Sequence, residues 1–371
     1  MGHHISERTN RMQRLAMAAL LAALLQPAIA QEQAPAPEPA AASSSAQAEA
    51  AVTEAAATVE DAPASDEPMD LDTLSGAFGW NFEKTVVRAE KLSDGLFLLY
   101  GVGGNIAVSI GEQGVLLVDD QFPQMMPKIK KAIENLGGKG VDFVINTHWH
   151  FDHADGNLTL GPEGAWIIAH SESQIRMGKE HLINLVIAKY RQPAYPPAAR
   201  PVISYDDHMQ LHFNGQDIDL LHFGPAHTTG DTAVFFRQAN VVHLGDVFNA
   251  GYPFIDVDNG GDLDGVIHFC EAVLARVDEQ TKVVPGHGPV LNRQGLIDYI
   301  TMLRTVRSRI AGHLAEGASL GTVMEAKVTE EFDARYGDPT MLINRAYTSL
   351  SRAVQRATER ALADKAAASA P

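Results

Sequence analysis

The stretch His148-Trp149-His150-Phe151-Asp152-His153 constrains this chain more than any other. Four side chains that bind divalent metals fall within six positions. The residues just before them, Val141-Asp142-Phe143-Val144-Ile145-Asn146-Thr147, are rich in β-formers, and the spacing predicts a buried strand there. His148 and His150 sit at i and i+2, so in extended backbone both imidazoles project to one side. Asp152 and His153 follow one turn later and can face a neighbouring point. That spacing suits two adjacent metal ions better than one. A loop in which two histidines and a carboxylate serve only as surface polarity would not need further ligands downstream, and such ligands exist.

Composition narrows the partners. The formal charge is −17 over 371 residues. Phosphate backbones need a basic footprint, so this acidic balance argues against nucleic acid as a substrate. Cys270 is the sole cysteine, which excludes an intramolecular disulfide. Phe269 and Ala272-Val273-Leu274 flank it, and it reads as a core residue.

The N-terminus has the pattern of an export signal over residues 1–30. Arg11 and Arg14 precede the apolar stretch Leu15 to Leu25, and Ala28-Ile29-Ala30 is a small-residue cleavage site. Met12 is an alternative start to Met1. The apolar stretch is short for a membrane span, so no stable membrane insertion is expected after cleavage, and the destination is the periplasm or the exterior. Residues 31–72 are Ala, Pro, Ser, Gln and acid, with ten acidic residues and no basic one; they are expected to form a disordered tether.

The folded region is expected to begin near Leu74 or Trp80. Short β-type runs follow at Thr85–Val87, Leu96–Tyr100, Ile106–Ile110 and Val115–Val118. Gly101-Val102-Gly103-Gly104 has no helix start after it and reads as a hairpin turn or mobile loop, not a phosphate cradle. Met125, Met126, Ile129, Ile133 and Leu136 mark one helix face, stopped by Gly137-Gly138. Ala165–Ala169 predicts another strand, followed by a long, partly helical insertion to about Arg200. Strands are expected at Leu211–His212, Ile218–Leu221, Ala233–Phe236 and Val241–Leu244, with Val283-Val284 the last. From Leu296 helical spacing runs to Ile310, and helices are expected over Leu320–Phe332 and Met341–Leu362. This order favours two packed sheets with helices outside, not one doubly wound parallel sheet.

Three more ligand candidates stand in loops after apolar strands. They are His227 in Gly224-Pro225-Ala226-His227-Thr228-Thr229-Gly230-Asp231, Asp246 in His243-Leu244-Gly245-Asp246, and His287 in Pro285-Gly286-His287-Gly288-Pro289. The order HxHxDH, then H, D and H, resembles the metallo-β-lactamase superfamily from about Val86 to Pro289. That resemblance implies an α/β fold, a four-layer αββα sandwich with an added C-terminal helical segment: a catalytic domain over 73–293 with 294–371 packed on it. It implies that His148, His150 and His227 hold one metal, that Asp152, His153 and His287 hold a second, and that Asp246 bridges them. Asp119, closing Val115–Val118, matches the family's early structural aspartate.

Two divalent ions about 3.5–4 Å apart can share a hydroxide formed from water near neutral pH. Imidazole suits Zn2+, while the two carboxylates also admit Fe or Mn. The implied activity is an exported dinuclear metal-dependent hydrolase, in which that hydroxide attacks the carbonyl of an ester, lactone or β-lactam in a small-molecule substrate. Asp152 is expected to orient the nucleophile and accept a proton. One class of β-lactamases has cysteine where Asp246 stands, and another lacks a bridging acid; an aspartate bridge is similar to lactonases, glyoxalase-type thioesterases and phosphodiesterases. The alternatives are thus a phosphodiesterase, a mononuclear iron oxygenase, or a non-hydrolytic metal-binding relative. Among weaker candidates, Tyr252 is a possible catalytic oxyanion donor. Asn249 and Phe254 are pocket-lining candidates, and Trp149 is pocket wall or core. His170 is a candidate for orienting a ligand, as are Thr228 and Asp231, whereas His222, His243 and His268 are expected to make local hydrogen bonds.

Overall fold

The computed structural model describes residues 67–368. The export signal expected at 1–30 and most of the tether lie outside the described residues. Order begins slightly earlier than expected: Met69 bridges Tyr190, and Asp70 caps the helix α1 (Leu71–Ala77), whose Leu74 is wholly buried.

Two sheets carry the fold. The first has seven strands: β1 (Arg88–Ser93), β2 (Leu96–Tyr100), β3 (Ile106–Gly111), β4 (Gly114–Val118), β5 (Phe143–Ile145), β6 (Trp166–His170) and, beside β6, β9 (Ile203–Tyr205). From β1 to β4 the pairing is antiparallel, and from β4 through β9 it is parallel. The hairpin β7 (His181–Asn184) and β8 (Lys189–Gln192) stands apart as a two-stranded sheet. The second large sheet runs β10 (His208–Phe213), β11 (Gln216–Leu221), β12 (Ala233–Phe236), β13 (Val241–His243), β14 (Lys282–Val284) and β15 (Leu291–Asn292).

Side-chain alternation explains the layering. Leu116 and Val118 of β4 point between the sheets, where Val234 and Phe236 of β12 meet them. Val115 and Leu117 point the other way, onto Met126, Ile129 and Ile133 of α2 (Met126–Asn135). Ala233 and Phe235 likewise face outward, into a cluster with helices α6 and α7 described below. Strands buried on both faces read as continuous apolar runs, which is why they were visible in the sequence.

Short helices α3 (Phe151–Ala154), α4 (Asn157–Leu160) and α5 (Ser171–Met177) follow β5 and β6. The outer layer of the second sheet is built by α6 (Leu263–Leu274), α7 (Arg293–Ala315), α8 (Leu320–Glu325), α9 (Glu330–Tyr336) and α10 (Thr340–Ala368). Val242 and Val283 of the sheet share one buried cluster with Leu296, Leu303, Leu342 and Ala346. The C-terminal segment therefore supplies most of the second helical layer. The fold class is the expected αββα sandwich. Three local expectations differ: the first strand is Arg88–Ser93, not Thr85–Val87; the insertion to Arg200 holds the β7–β8 hairpin besides α5; and the helix expected over Leu320–Phe332 is broken into α8 and α9. No described helix is long and apolar enough to cross a membrane.

Candidate metal centre

Every ligand candidate lies in a loop or short helical turn that follows a strand, with Asp152 and His153 inside α3. His148, His150, Asp152 and His153 follow β5, His227 follows β11, Asp246 follows β13, and His287 follows β14. The two sheets thus deliver all seven side chains to one end of the sandwich. Potential ligand atoms of His148, His150 and His227 lie within 4.8 Å of one another, as do those of His148, His153 and Asp246, and those of Asp152, His153 and His287. The second and third sets share His153, and the first and second share His148, so the seven residues form one continuous centre.

The orientation of each ring is set from behind. His150 Nε2 lies 3.0 Å from Asp256 Oδ2, so it carries the proton and donates. His227 Nδ1 donates to the Phe254 carbonyl at 2.8 Å, and His153 Nδ1 donates to Asp119 Oδ2 at 2.7 Å. Thr147 Oγ1 donates its only proton to Asp119 Oδ2 at 2.8 Å, which leaves it to accept from His148 Nδ1 at 3.0 Å. With the outer nitrogen held from behind, each of the four imidazoles turns its other nitrogen inward: Nε2 of His148, Nδ1 of His150, and Nε2 of His153 and of His227.

Those inward atoms converge. His150 Nδ1 is 2.8 Å from His227 Nε2, and His153 Nε2 is 3.1 Å from His287 Nε2. Asp246 Oδ1 lies 3.0 Å from His153 Nε2 and 3.4 Å from His287 Nε2, while its Oδ2 is 3.9 Å from His227 Nε2. Asp152 Oδ2 is 3.1 Å from His287 Nε2. His148 Nε2 is buried without a hydrogen-bond partner, and so is Asp246 Oδ1 despite its closeness to His153. Imidazole nitrogens and carboxylates crowded onto one point, with two buried atoms unsatisfied, fit divalent cations. Glycines make room: a Cβ at Gly286 would collide with Asp246 Oδ1, and one at Gly104 with the His153 ring. The Gly101–Gly104 run is the expected hairpin connection, between β2 and β3, and it packs against the histidine motif.

Charge separates the two halves. Burial, reinforced by neighbouring imidazoles, holds His148 well below the usual histidine range and also lowers His227, so both are neutral. Burial works against charge on His153 and His287 too, but Asp246 and Asp152 outweigh it, raising His153 strongly and His287 to about 9. Burial alone would raise Asp246, yet His287 and His153 hold it well below the carboxylate range. One half is an all-imidazole set and the other pairs imidazoles with two carboxylates.

The supporting residues sort differently from expectation. Asp119 is wholly buried at φ 63°, a turn that aims its carboxylate at Thr147 and His153. Thr228 and Asp231 bond each other and close the turn carrying His227, without reaching a ligand themselves. His170 does not orient a ligand: it stacks on His222 at 3.9 Å and bonds the Asp206 carbonyl. His222 bonds the Asp231 carbonyl, and His268 sits exposed on α6. His243 spans from the Asn105 carbonyl to the amide of Gly245, bracing the Asp246 turn. Asn249 receives the His287 amide on Oδ1, at 2.9 Å. Trp149 is wholly buried core, and Cys270 is a buried thiol whose pKa burial pushes up.

Tyr252 requires a correction. Its ring lines the cleft beside the centre, but its hydroxyl donates to Asp333 Oδ1 of α9 at 2.8 Å. With its only proton committed to the helical layer, it is not placed as an oxyanion donor. The residue that sequence reasoning missed is Asp256, one acid in a loop with no ligand spacing to mark it. Besides His150, it holds Asn259 through both carboxylate oxygens. Its neighbour Asp258 is clamped by Arg345 and Arg352 of α10, at 2.8 and 2.5 Å. Asp256→Ala is expected to weaken metal binding about 10–100-fold, because His150 loses the acceptor that fixes its tautomer. Competition with a chromophoric chelator reads this directly; unchanged affinity would mean that His150 is oriented by packing alone.

Comparisons with known proteins agree with this geometry. The chain is 24% identical over 209 residues to the alpha subunit of 2,4-dinitroanisole O-demethylase from Nocardioides sp., covering 54% of this chain and 58% of that one. It is 26% identical over 215 residues to the type 2 metallo-beta-lactamase of Bacillus cereus, covering 57% and 77%. Among solved structures, the sec-alkylsulfatase Pisa1 from Pseudomonas superposes with a TM-score of 0.55 at 14% identity, over 70% of this chain and 50% of that one. The chain thus spans only half to three-fifths of the length of the demethylase subunit and the sulfatase. A family profile described as the metallo-beta-lactamase superfamily matches residues 100–287, just over half of the chain and all seven ligand candidates. With that match and the sandwich that presents them, the chain belongs to the metallo-beta-lactamase superfamily.

Proposed function

We propose that this protein is an exported metal-dependent hydrolase that opens the carbonyl of an ester, lactone or β-lactam, with Zn2+ as the preferred ion and Fe or Mn admitted by the carboxylates. The observation that carries the reading is the inward turn of four imidazoles around Asp246 and Asp152. His148, His150 and His227 would hold one ion, Asp152, His153 and His287 the other, with Asp246 touching both. Bound there, divalent ions supply a Lewis acid and a water acidic enough to attack at neutral pH.

The chain's own groups do the rest. Asp152 borders the cleft with its carboxylate 3.1 Å from His287, where it can orient the attacking water. The water oxygen bonds to the carbonyl carbon, the C–O or C–N bond breaks, and Asp152 passes the proton to the departing heteroatom. The buried walls limit the water that competes with substrate. Export rests on the Arg11–Ala30 pattern alone.

The relatives are named for different substrates, a lactam in one case and an aryl methyl ether in another, so membership leaves the substrate class open. The complete second ligand set speaks against a mononuclear oxygenase. Phosphodiesters are disfavoured because, among the described residues, no lysine or arginine lines the cleft. The test is a panel of nitrocefin, lactones, thioesters and phosphodiesters assayed with metal-loaded enzyme. At least one carbonyl substrate should turn over, and Asp152→Ala should lower its kcat about 10²–10⁴-fold. Phosphodiester turnover with none on any carbonyl substrate would overturn the reading.

A further inference from the structure

We propose that the cleft selects an uncharged substrate carrying a compact apolar group, an alkyl or aryl ester or lactone, and discriminates against anionic analogues of the same size. This rests on the hydrolytic reading above and adds the chemistry of the part of the substrate that does not react.

The cleft beside the metal centre has a volume of about 310 Å³. That is near the lower end of the roughly 300–1,000 Å³ typical of small-molecule sites, so it suits a compact group and not a polymer. Its polar groups are concentrated at one end, where Asp152, Asp246 and His287 meet. The walls are apolar and come from widely separated parts of the chain, Val102 and Phe151 among them. Phe78 and Trp80 follow α1, Ile183 and Leu185 belong to the β7–β8 hairpin, Phe254 follows Asp246, and Met341 opens α10.

These walls are braced. Trp80 stacks on Phe78 at 5.2 Å and tilts against Phe122 at 5.3 Å. Phe254 packs 5.8 Å from the His227 ring, and its carbonyl fixes that histidine's tautomer. The hairpin tip is held by Val186 at φ 71°, rare for a β-branched residue, with its amide donating to Asn184 Oδ1. A preformed apolar wall rewards apolar substrates without an ordering cost.

Among the described residues lining the cleft, the walls also offer no cationic side chain of lysine or arginine to a negative charge. Asn249 turns its Nδ2 to the Asp246 carbonyl at 3.4 Å while its oxygen takes the His287 amide, and Tyr252 spends its proton on Asp333. A carboxylate seated here would leave water without a partner, which is costly. Each methylene that moves from water onto the wall should raise kcat/KM about four-fold until the space is filled.

The test uses the full chain, stripped and reloaded with metal, on p-nitrophenyl esters from acetate to hexanoate and on the p-nitrophenyl hemiesters of succinate and glutarate. Rising kcat/KM along the neutral series, and at least a ten-fold preference for a neutral ester over the hemiester of matched length, supports the proposal. Leu185→Arg should narrow that preference by supplying a cation on the wall. A flat neutral series, or hemiesters turned over as well as neutral esters, overturns it. Binding of the neutral dye N-phenyl-1-naphthylamine to the metal-free protein gives a readout free of catalysis. If no ester turns over, the hydrolytic reading fails. The inference then stands if the dye binds and Leu185→Arg or Trp80→Ala weakens it, and falls if it does not bind or binds both variants as it binds the parent.

Discussion

Asp246→Asn is expected to abolish hydrolysis, lowering kcat/KM by about 10³-fold or more, while the protein stays folded. The substitution keeps the shape of the side chain and removes its charge. Asp246 is the carboxylate that reaches both halves of the centre, lying 3.0 Å from His153, 3.4 Å from His287 and 3.9 Å from His227. An amide offers one oxygen and a proton-bearing nitrogen where two anionic oxygens stood, so one half of the centre loses an anionic ligand. Lewis-acid stabilisation and water activation are worth several kcal/mol, and about 1.4 kcal/mol is a factor of ten, which sets the magnitude. Steady-state kinetics and a bound-metal count on the same preparation check it. A variant retaining more than a tenth of parental activity with its full metal content would remove Asp246 from the centre.

The largest effect on stability is expected at Asp119. Its carboxylate, wholly buried, accepts from the Thr147 amide at 2.7 Å, the Thr147 hydroxyl at 2.8 Å and His153 Nδ1 at 2.7 Å. Asp119→Ala leaves three buried donors without an acceptor. Each buried donor left unsatisfied costs about 1–3 kcal/mol, so the three together are expected to cost about 3–5 kcal/mol. Against a typical total of about 5–15 kcal/mol this is a large share. Urea unfolding of metal-free parent and variant at neutral pH measures it without interference from bound ions. A loss below about 1 kcal/mol would mean that water or a rearranged turn replaces the carboxylate.

Much of the fold was legible because its central strands are buried on both faces. Val115–Val118 and Ala233–Phe236 are unbroken apolar runs, and no amphipathic helix has that pattern. The ligands were legible because each stands just past such a run, beside glycines that permit close approach. Where strands lie at an edge the signal fails. Arg88–Ser93 is an edge strand, largely exposed and polar, so the apolar Thr85–Val87 just before it drew the assignment instead. The β7–β8 hairpin was hidden for a related reason: outside the main sheets it has no strict alternation to display.

The site was legible in its ligands and not in what surrounds them. Asp256 and the cleft walls Phe78, Trp80 and Met341 acquire their roles only through tertiary packing, from positions separated by as much as the length of the folded chain. Tyr252 shows the same limit in reverse. Its nearness to Asp246 in sequence suggested chemistry, yet α9 arrives some eighty residues later and takes its hydroxyl. Loops at 101–105, 179–200 and 249–261 border the cleft through Val102, Ile183 and Phe254, but Phe78, Trp80 and Met341 come from elsewhere.

The most direct test of the account is a count of metal. The protein, stripped by a chelator and dialysed against Zn2+, Mn2+ or Fe2+, should retain two ions per chain by elemental analysis, and hydrolysis lost on stripping should return as they are restored. Retention of no ion, or hydrolysis unchanged by stripping, would contradict it.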